Sequence, residues 1–293
     1  MKIIIHMGLH KTGSTSFQNF LHSNRKALIN FGILYPNIDN NEESHWQLPN
    51  QLIRNNWTYL ENYLRNIITV AKQENVNTIF ISSEDFAILL TESFRVGEFE
   101  NLLFTIGYNE IHWECVLRNQ WDYFNSLYAE MSKHKVCLNY ASAGEEIINF
   151  GEISMGNDFS RYRFAFDYDR FINKLLEEIK GSFSVSSFED FISKDFIGKD
   201  LLSKHLNSSN DRKKFWESEL TSKEKTNIRT DDDTVEIDYL ANFLGIKMTQ
   251  DIFEKNQDMF IPIIQNRHGM IDLVSKDLKN KFMEKYPKTS NFL

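Results

Sequence analysis

The chain has 293 residues, 41% of them apolar and 25% charged, and a net charge of −8 from 33 Lys and Arg against 41 Asp and Glu. This length and composition suit a globular protein that buries a sizeable core, and one α/β domain reaches this size. The acidic balance argues against a nucleic-acid binder, which needs a basic face, and the two cysteines, Cys115 and Cys137, supply neither a disulfide framework nor a zinc spacing.

The first eighteen residues read MKIIIHMGLHKTGSTSFQ. Ile3, Ile4 and Ile5 form a β-branched run expected of a strand buried on both faces. Gly8 and Gly13 bracket a tight loop, and Ser14 and Thr15 open a helix carrying Phe17, Phe20 and Leu21 on its apolar face. Backbone N–H groups and the helix dipole make such a turn a site for phosphate. The nucleotide pattern G-x-x-x-x-G-K-[ST] is nearly met: Gly8, Gly13 and Thr15 fit, but Ser14 holds the lysine position and the lysine stands inside the loop, at Lys11. A lysine at the end of the loop reaches the β- and γ-phosphates of a triphosphate. Lys11 is placed for a shorter 5′-phosphate group. The plain alternative is a strand–turn–helix with an incidental lysine.

Further along, the pattern predicts one helix over 14–30, a strand over 33–35 stopped by Pro36, and a polar surface loop over 37–45. A helix is expected over 57–73 and a strand over 78–81, with Glu84 and Asp85 just past its end. A helix over 97–106 and a strand over 111–117 follow, the latter with Cys115 as a core thiol. Helices are expected over 119–134 and 138–150, a loop over 151–163, a helix over 168–179 and a strand over 182–188. The last third reads as mostly helical, over 196–205, 215–227, 234–244 and 271–286, and Asp231, Asp232 and Asp233 read as a helix cap. Alternating strands and helices predict a parallel sheet with helices on both faces and ligands at the carboxyl ends of the strands. No repeat or linker divides the chain, so one domain is expected over 1–293, with an α/β core over 1–190 and a helical part over 191–293. No stretch nears the ~20 apolar residues of a membrane span. The N-terminus enters the first strand without a signal-peptide pattern. The expectation is a soluble protein of the cytoplasm.

Arg118 closes the 111–117 strand, and Ser126 stands eight residues later. An arginine grips phosphate bidentately, and a serine on the next helix can donate to the same group. Together, the run His10-Lys11-Thr12-Gly13-Ser14-Thr15 and the pair Arg118 and Ser126 resemble the phosphate motifs of sulfotransferases that use 3′-phosphoadenosine 5′-phosphosulfate (PAPS), particularly the bacterial carbohydrate-type branch. The resemblance covers residues 1–135, with a weaker echo over 168–190. It departs at Gln120, where the family often has Pro. It implies a three-layer P-loop kinase-like fold and PAPS as sulfuryl donor. It also implies a 5′-phosphosulfate site at residues 10–15, a 3′-phosphate site at Arg118 and Ser126, and no required metal. The acceptor it implies is a carbohydrate or glycolipid hydroxyl.

In-line transfer needs a group to neutralise the leaving phosphate oxygen, for which Lys11 is suited, and a base for the acceptor proton. Glu84 stands where related enzymes carry a histidine base. His45 is the rival, with an imidazole suited to proton transfer near neutral pH. His10 reads as a shaper of the loop, and Trp46 as a surface for stacking a sugar. Two other classes remain open on sequence: a P-loop nucleotide kinase, against which the displaced lysine and the Arg118/Ser126 pair argue, and a non-catalytic nucleotide-binding protein, against which Lys11 argues.

Overall fold

The computed structural model describes residues 1–37, 43–133, 140–157, 160–192, 195–206, 208–218, 220–221 and 274–293. In chain order the elements are β1 (Lys2–Gly8), α1 (Ser14–Ser23), α2 (Arg25–Asn30), β2 (Ile33–Leu34), α3 (Gln47–Ile53), α4 (Trp57–Gln73) and β3 (Thr78–Ser82). A 3-10 turn (Glu84–Ala87) leads to α5 (Ile88–Thr91), α6 (Phe94–Ile106) and β4 (Glu110–Leu117). Then come α7 (Gln120–Lys133), α8 (Tyr140–Phe150), β5 (Glu152–Asn157), β6 (Ser160–Ala165), α9 (Tyr168–Glu178) and β7 (Ser182–Ser187). The chain continues with α10 (Phe188–Ile192), α11 (Lys199–Lys204) and α12 (Ser209–Glu217), and residues 274–285 form α13. None of the helices among the described residues is long and apolar enough to cross a membrane.

The protein is α/β: five parallel strands in the order β2-β3-β1-β4-β7, with helices around them. The isoleucine run explains why β1 takes the centre. Ile3, Ile4 and Ile5 are wholly buried, so the strand must be covered on both faces. On one face Ile4, Phe80 and Val116 pack with Phe17, Phe20 and Leu21 of α1 and with Phe191, Leu202 and Phe215 of α10, α11 and α12. On the other, Trp113 meets Phe86 edge-on at 5.9 Å and donates its indole N–H to Glu100 at 2.8 Å. Glu100, buried on α6, also accepts from the Lys180 backbone N–H at 2.6 Å. One carboxyl group thus satisfies both a core tryptophan and the turn into β7, as a buried polar group must.

The described residues fall into two compact units. The first comprises Met1–Arg118 with the described parts of Tyr168–Asn227 and Asn291–Leu293, and holds the whole parallel sheet. The second comprises Asn119–Asp167 with the described part of Ile228–Ser290. In the second unit Phe124 of α7 stacks on Phe282 of α13 at 5.5 Å. Gly144 of α8 lets Leu278 of α13 approach so closely that a Cβ there would lie 2.7 Å from its Cδ1.

Several boundaries differ from the sequence expectation. The helix over 14–30 breaks at Asn24, whose side-chain amide donates to the Phe20 carbonyl at 2.8 Å and the Thr221 carbonyl at 2.9 Å. The loop over 151–163 is instead largely the β5–β6 antiparallel hairpin: Ile153 and Met155 point inward, but Gly156 and neighbouring polar residues dilute the alternation. The polar segment ends in α3, a helix that admits Pro49 because it falls in the first turn. The helix over 196–205 shortens to α11, starting only after Gly198 at φ 70°. α12 begins six residues before the helix expected over 215–227 and ends at Glu217, and residues 219 and 222–227 of that expectation lie outside the described residues. The helix over 234–244, the cap at Asp231, Asp232 and Asp233, and Cys137 lie outside the described residues. Cys115 is buried and free, its thiol pushed up by burial and by Glu114.

Candidate active site

The chain leaves β1 toward β2 and leaves β4 toward β7, on opposite sides of the sheet. The carboxyl ends of β1 and β4 therefore form the topological switch point, where open α/β sheets bind ligands. Residues 9–13 and Arg118 stand there.

Gly8 pairs with Val116, and the Leu9 N–H donates to the Val116 carbonyl at 3.2 Å, so the loop begins pressed against β4. It then turns back on itself. The Thr12 hydroxyl, wholly buried, donates to the Leu9 carbonyl at 2.5 Å. Lys11 sits at φ 63° and Gly13 at φ 79°, both left-handed. Glycine at position 8 lets the loop close tightly: a Cβ there would lie 2.5 Å from Ser14 Oγ and 2.9 Å from Thr12 Oγ1, so these hydroxyls would have to shift. Gly13 caps α1 without a side chain, and Ser14, Thr15 and Ser16 form the first turn. Ser14 is buried and Thr15 exposed. The result is a helix N-terminus preceded by a tight loop, a local field that favours an anion.

Arg118, half-buried at the end of β4, donates from Nη1 to the Lys11 carbonyl at 2.8 Å. Its guanidinium lies 4.6 Å over the Phe188 ring, and its own carbonyl accepts from the Tyr168 hydroxyl at 2.9 Å. That bond joins two motifs 107 residues apart in sequence. Ser126 lies half-buried in the second turn of α7, in the second unit.

Glu84 opens the turn after β3. The Gln18 amide of α1 donates to Glu84 Oε2 at 2.8 Å and to Ser82 Oγ at 3.3 Å. Ser82 Oγ in turn lies 2.8 Å from His6 Nδ1. His6 is buried against Phe17 and Phe191, and burial pushes its pKa down to about 4. A buried polar chain thus runs from β1 through β3 and α1 to a half-exposed carboxylate. β1 separates β3 from β4, so Glu84 and Arg118 flank the loop from either side instead of ending adjacent strands. Next to Glu84, Asp85 lies 3.8 Å from His10 Nε2, and burial raises its carboxyl against the pull of His10.

His45 is not a surface residue. Its backbone N–H donates to the Ser82 carbonyl at 2.9 Å, and its Nδ1 accepts from the Ser82 N–H at 3.1 Å. Nε2 stands 3.1 Å from the Pro36 carbonyl and the ring meets Tyr35 edge-on at 4.7 Å. Burial lowers its pKa to about 4. The imidazole is a neutral latch that fastens the chain entering α3 to β3. Trp46, the next residue, remains 36% exposed.

Sequence reasoning missed the work of Gln18, Ser82 and Phe188. Gln18 left a trace: a polar residue on an apolar helix, one turn past Ser14 and therefore on its side. Compared with known proteins, the chain matches no family model, no curated protein and no solved structure.

Proposed function

We propose that the protein is a sulfotransferase of P-loop kinase-like fold that moves a sulfuryl group from PAPS to the hydroxyl of a carbohydrate or glycolipid. The observation that carries this reading is the bond from Arg118 to the Lys11 carbonyl: it joins two elements that the resemblance assigns to the two ends of one nucleotide. The loop N–H groups, Ser14 and Thr15 hold the 5′-phosphosulfate. Thr12 and His10 fix the loop, the first through the Leu9 carbonyl and the second beside Asp85. Arg118, with its planar guanidinium fork, is the residue the resemblance assigns to the 3′-phosphate. Ser126 enters only through the resemblance.

In the reaction the acceptor oxygen attacks sulfur, its bond to the bridging oxygen breaks, and adenosine 3′,5′-bisphosphate leaves. Lys11 and the loop amides offset the charge that grows on that bridging oxygen. Glu84 takes the acceptor proton, with Gln18 holding its other oxygen. It is preferred to His45 because that ring is engaged by backbone groups at both nitrogens. The exposed face of Trp46 is a surface on which a sugar can stack.

The test is release of adenosine 3′,5′-bisphosphate from PAPS with a panel of hydroxyl acceptors and no magnesium. Loss of one transition-state contact is worth ~2.7–4 kcal/mol, so Lys11→Ala should slow turnover by about 10²–10³. Glu84→Gln should nearly abolish it, spare bisphosphate affinity and remove the acidic limb of kcat/KM. Turnover that survives Lys11→Ala, or a product that forms only from ATP with magnesium, overturns the proposal.

A further inference from the structure

A second cluster lies on the sheet face that carries Ile4 and Phe80. β4 presents His112 and Glu114 there, opposite Ser182 and Ser184 of β7. His205, just past α11, reaches the same point. Glu114 is wholly buried, His205 nearly so and His112 half-buried. Both imidazoles aim Nε2 at one carboxylate oxygen, Glu114 Oε1, His112 from 2.9 Å and His205 from 2.8 Å. One donor atom from each of the three lies within 4.8 Å of the others.

The surroundings orient these donors. Ser182 Oγ lies 2.5 Å from His112 Nδ1 and reaches the Ile111 carbonyl at 3.4 Å. Without an ion, Nε2–H of His112 donates to the carboxylate; with its own proton on the Ile111 carbonyl, Ser182 can accept the Nδ1 proton of His112 when an ion displaces the proton from Nε2. A ligating histidine is held in this way, by a partner for its other nitrogen. Ser184 donates to Glu114 Oε2 and lies 3.3 Å from His112 Nε2.

We propose that His112, Glu114 and His205 bind one divalent transition-metal ion of the zinc class through two imidazole nitrogens and one carboxylate oxygen. Two histidines and a glutamate are a donor set that zinc takes, with a fourth position for water. Tetrahedral bonds of ~2.0–2.1 Å set the ligand atoms about 3.3 Å apart, so each imidazole nitrogen must draw back from Glu114 Oε1 by a few tenths of an ångström. The half-exposed ring of His112 and the helix end carrying His205 can yield that much. Lys204, whose ammonium is 3.9 Å from Oε2, is 48% exposed and can turn to water. The ion ties the end of α11 to β4, and its binding does not depend on sulfuryl transfer.

The chelator-stripped full chain is titrated with Co²⁺ alone and followed by visible absorption and thermal unfolding. One equivalent should give the bands of a four-coordinate nitrogen–oxygen site, raise Tm, and be displaced by Zn²⁺. Ser182→Ala, on an edge strand, should fold normally and weaken Co²⁺ binding about 10–100-fold. His112→Cys should keep the ion and add a thiolate charge-transfer band. No Co²⁺ uptake would show that protons alone hold the three groups together. Uptake unchanged in Ser182→Ala, or no new band in a folded His112→Cys protein, would put the ion elsewhere. Each of these results overturns the proposal.

Discussion

Lys11 adopts a backbone conformation that suits glycine. Its φ is 63°, and the other non-glycine residues with positive φ among those described are Asn55 and Asn75, of the type that tolerates it. For a lysine the left-handed region costs roughly 1–2 kcal/mol. The Arg118 bond to its carbonyl and the Thr12 bond back to Leu9 hold it there. Two substitutions isolate that strain. Lys11→Ala and Lys11→Gly both remove the ammonium, so they differ only in the backbone. Glycine relieves the strain, and its greater freedom in the unfolded chain gives back about 0.4–1 kcal/mol. The net is about 1 kcal/mol in favour of Lys11→Gly. The assay is urea unfolding of both variants at neutral pH, with the difference read as a shift in midpoint at constant slope. Both should be equally inactive in transfer. Equal stability, or a more stable Lys11→Ala, would mean that residue 11 is not left-handed and that the loop folds otherwise.

Gly8→Ala drives a methyl to 2.5 Å from Ser14 Oγ; it should cost about 1–3 kcal/mol, and adding Ser14→Ala should restore part of it in the same denaturation assay. Arg118→Ala loses a charge-assisted bond worth ~1.5–3 kcal/mol and should weaken adenosine 3′,5′-bisphosphate far more than adenosine 5′-phosphosulfate, with Ser126→Ala doing less; equal losses for both ligands would leave the arginine a loop brace only. His6 and His45 stay neutral when folded, their pKa values pushed by burial down to about 4 from 6.5. As pH falls below 6.5 the unfolded chain takes up protons first, so the stability these rings allow is full above 6.5 and declines toward about 4. Denaturation midpoints across that range should fall, and His45→Gln should flatten the decline; a flat wild-type profile would contradict their burial.

The candidate site could be assembled from the sequence as far as its parts are local. The glycine loop, Lys11 and the opening of α1 lie within eighteen consecutive residues, and Arg118 ends a strand whose apolar run announces it. The contacts that assemble the site are long-range, and no periodicity encodes them. Gln18 reaches Glu84 and Ser82 across the sheet, and His45 is buried because Ser82 pairs with it, although its neighbours Glu43 and Ser44 are polar enough to read as surface. The strand order was also hidden: consecutive strands β3 and β4 flank β1 instead of pairing with each other, which moves Glu84 to the far side of the loop from Arg118. The β5–β6 hairpin was lost because glycine and serine weaken a period-2 signal. The His112, Glu114 and His205 cluster is two-thirds local on one strand face, but its third member arrives from past α11.

The central claim is that the loop of residues 9–13 and Arg118 bind a nucleotide with a 3′-phosphate. Isothermal titration of the full chain with adenosine 3′,5′-bisphosphate, AMP and ATP, each with and without magnesium, tests it most directly. The bisphosphate should bind without magnesium and much more tightly than AMP or ATP, and Arg118→Ala should erase most of its advantage over AMP. Magnesium-dependent ATP binding tighter than that of the bisphosphate, or no binding of any of the three, would contradict the account.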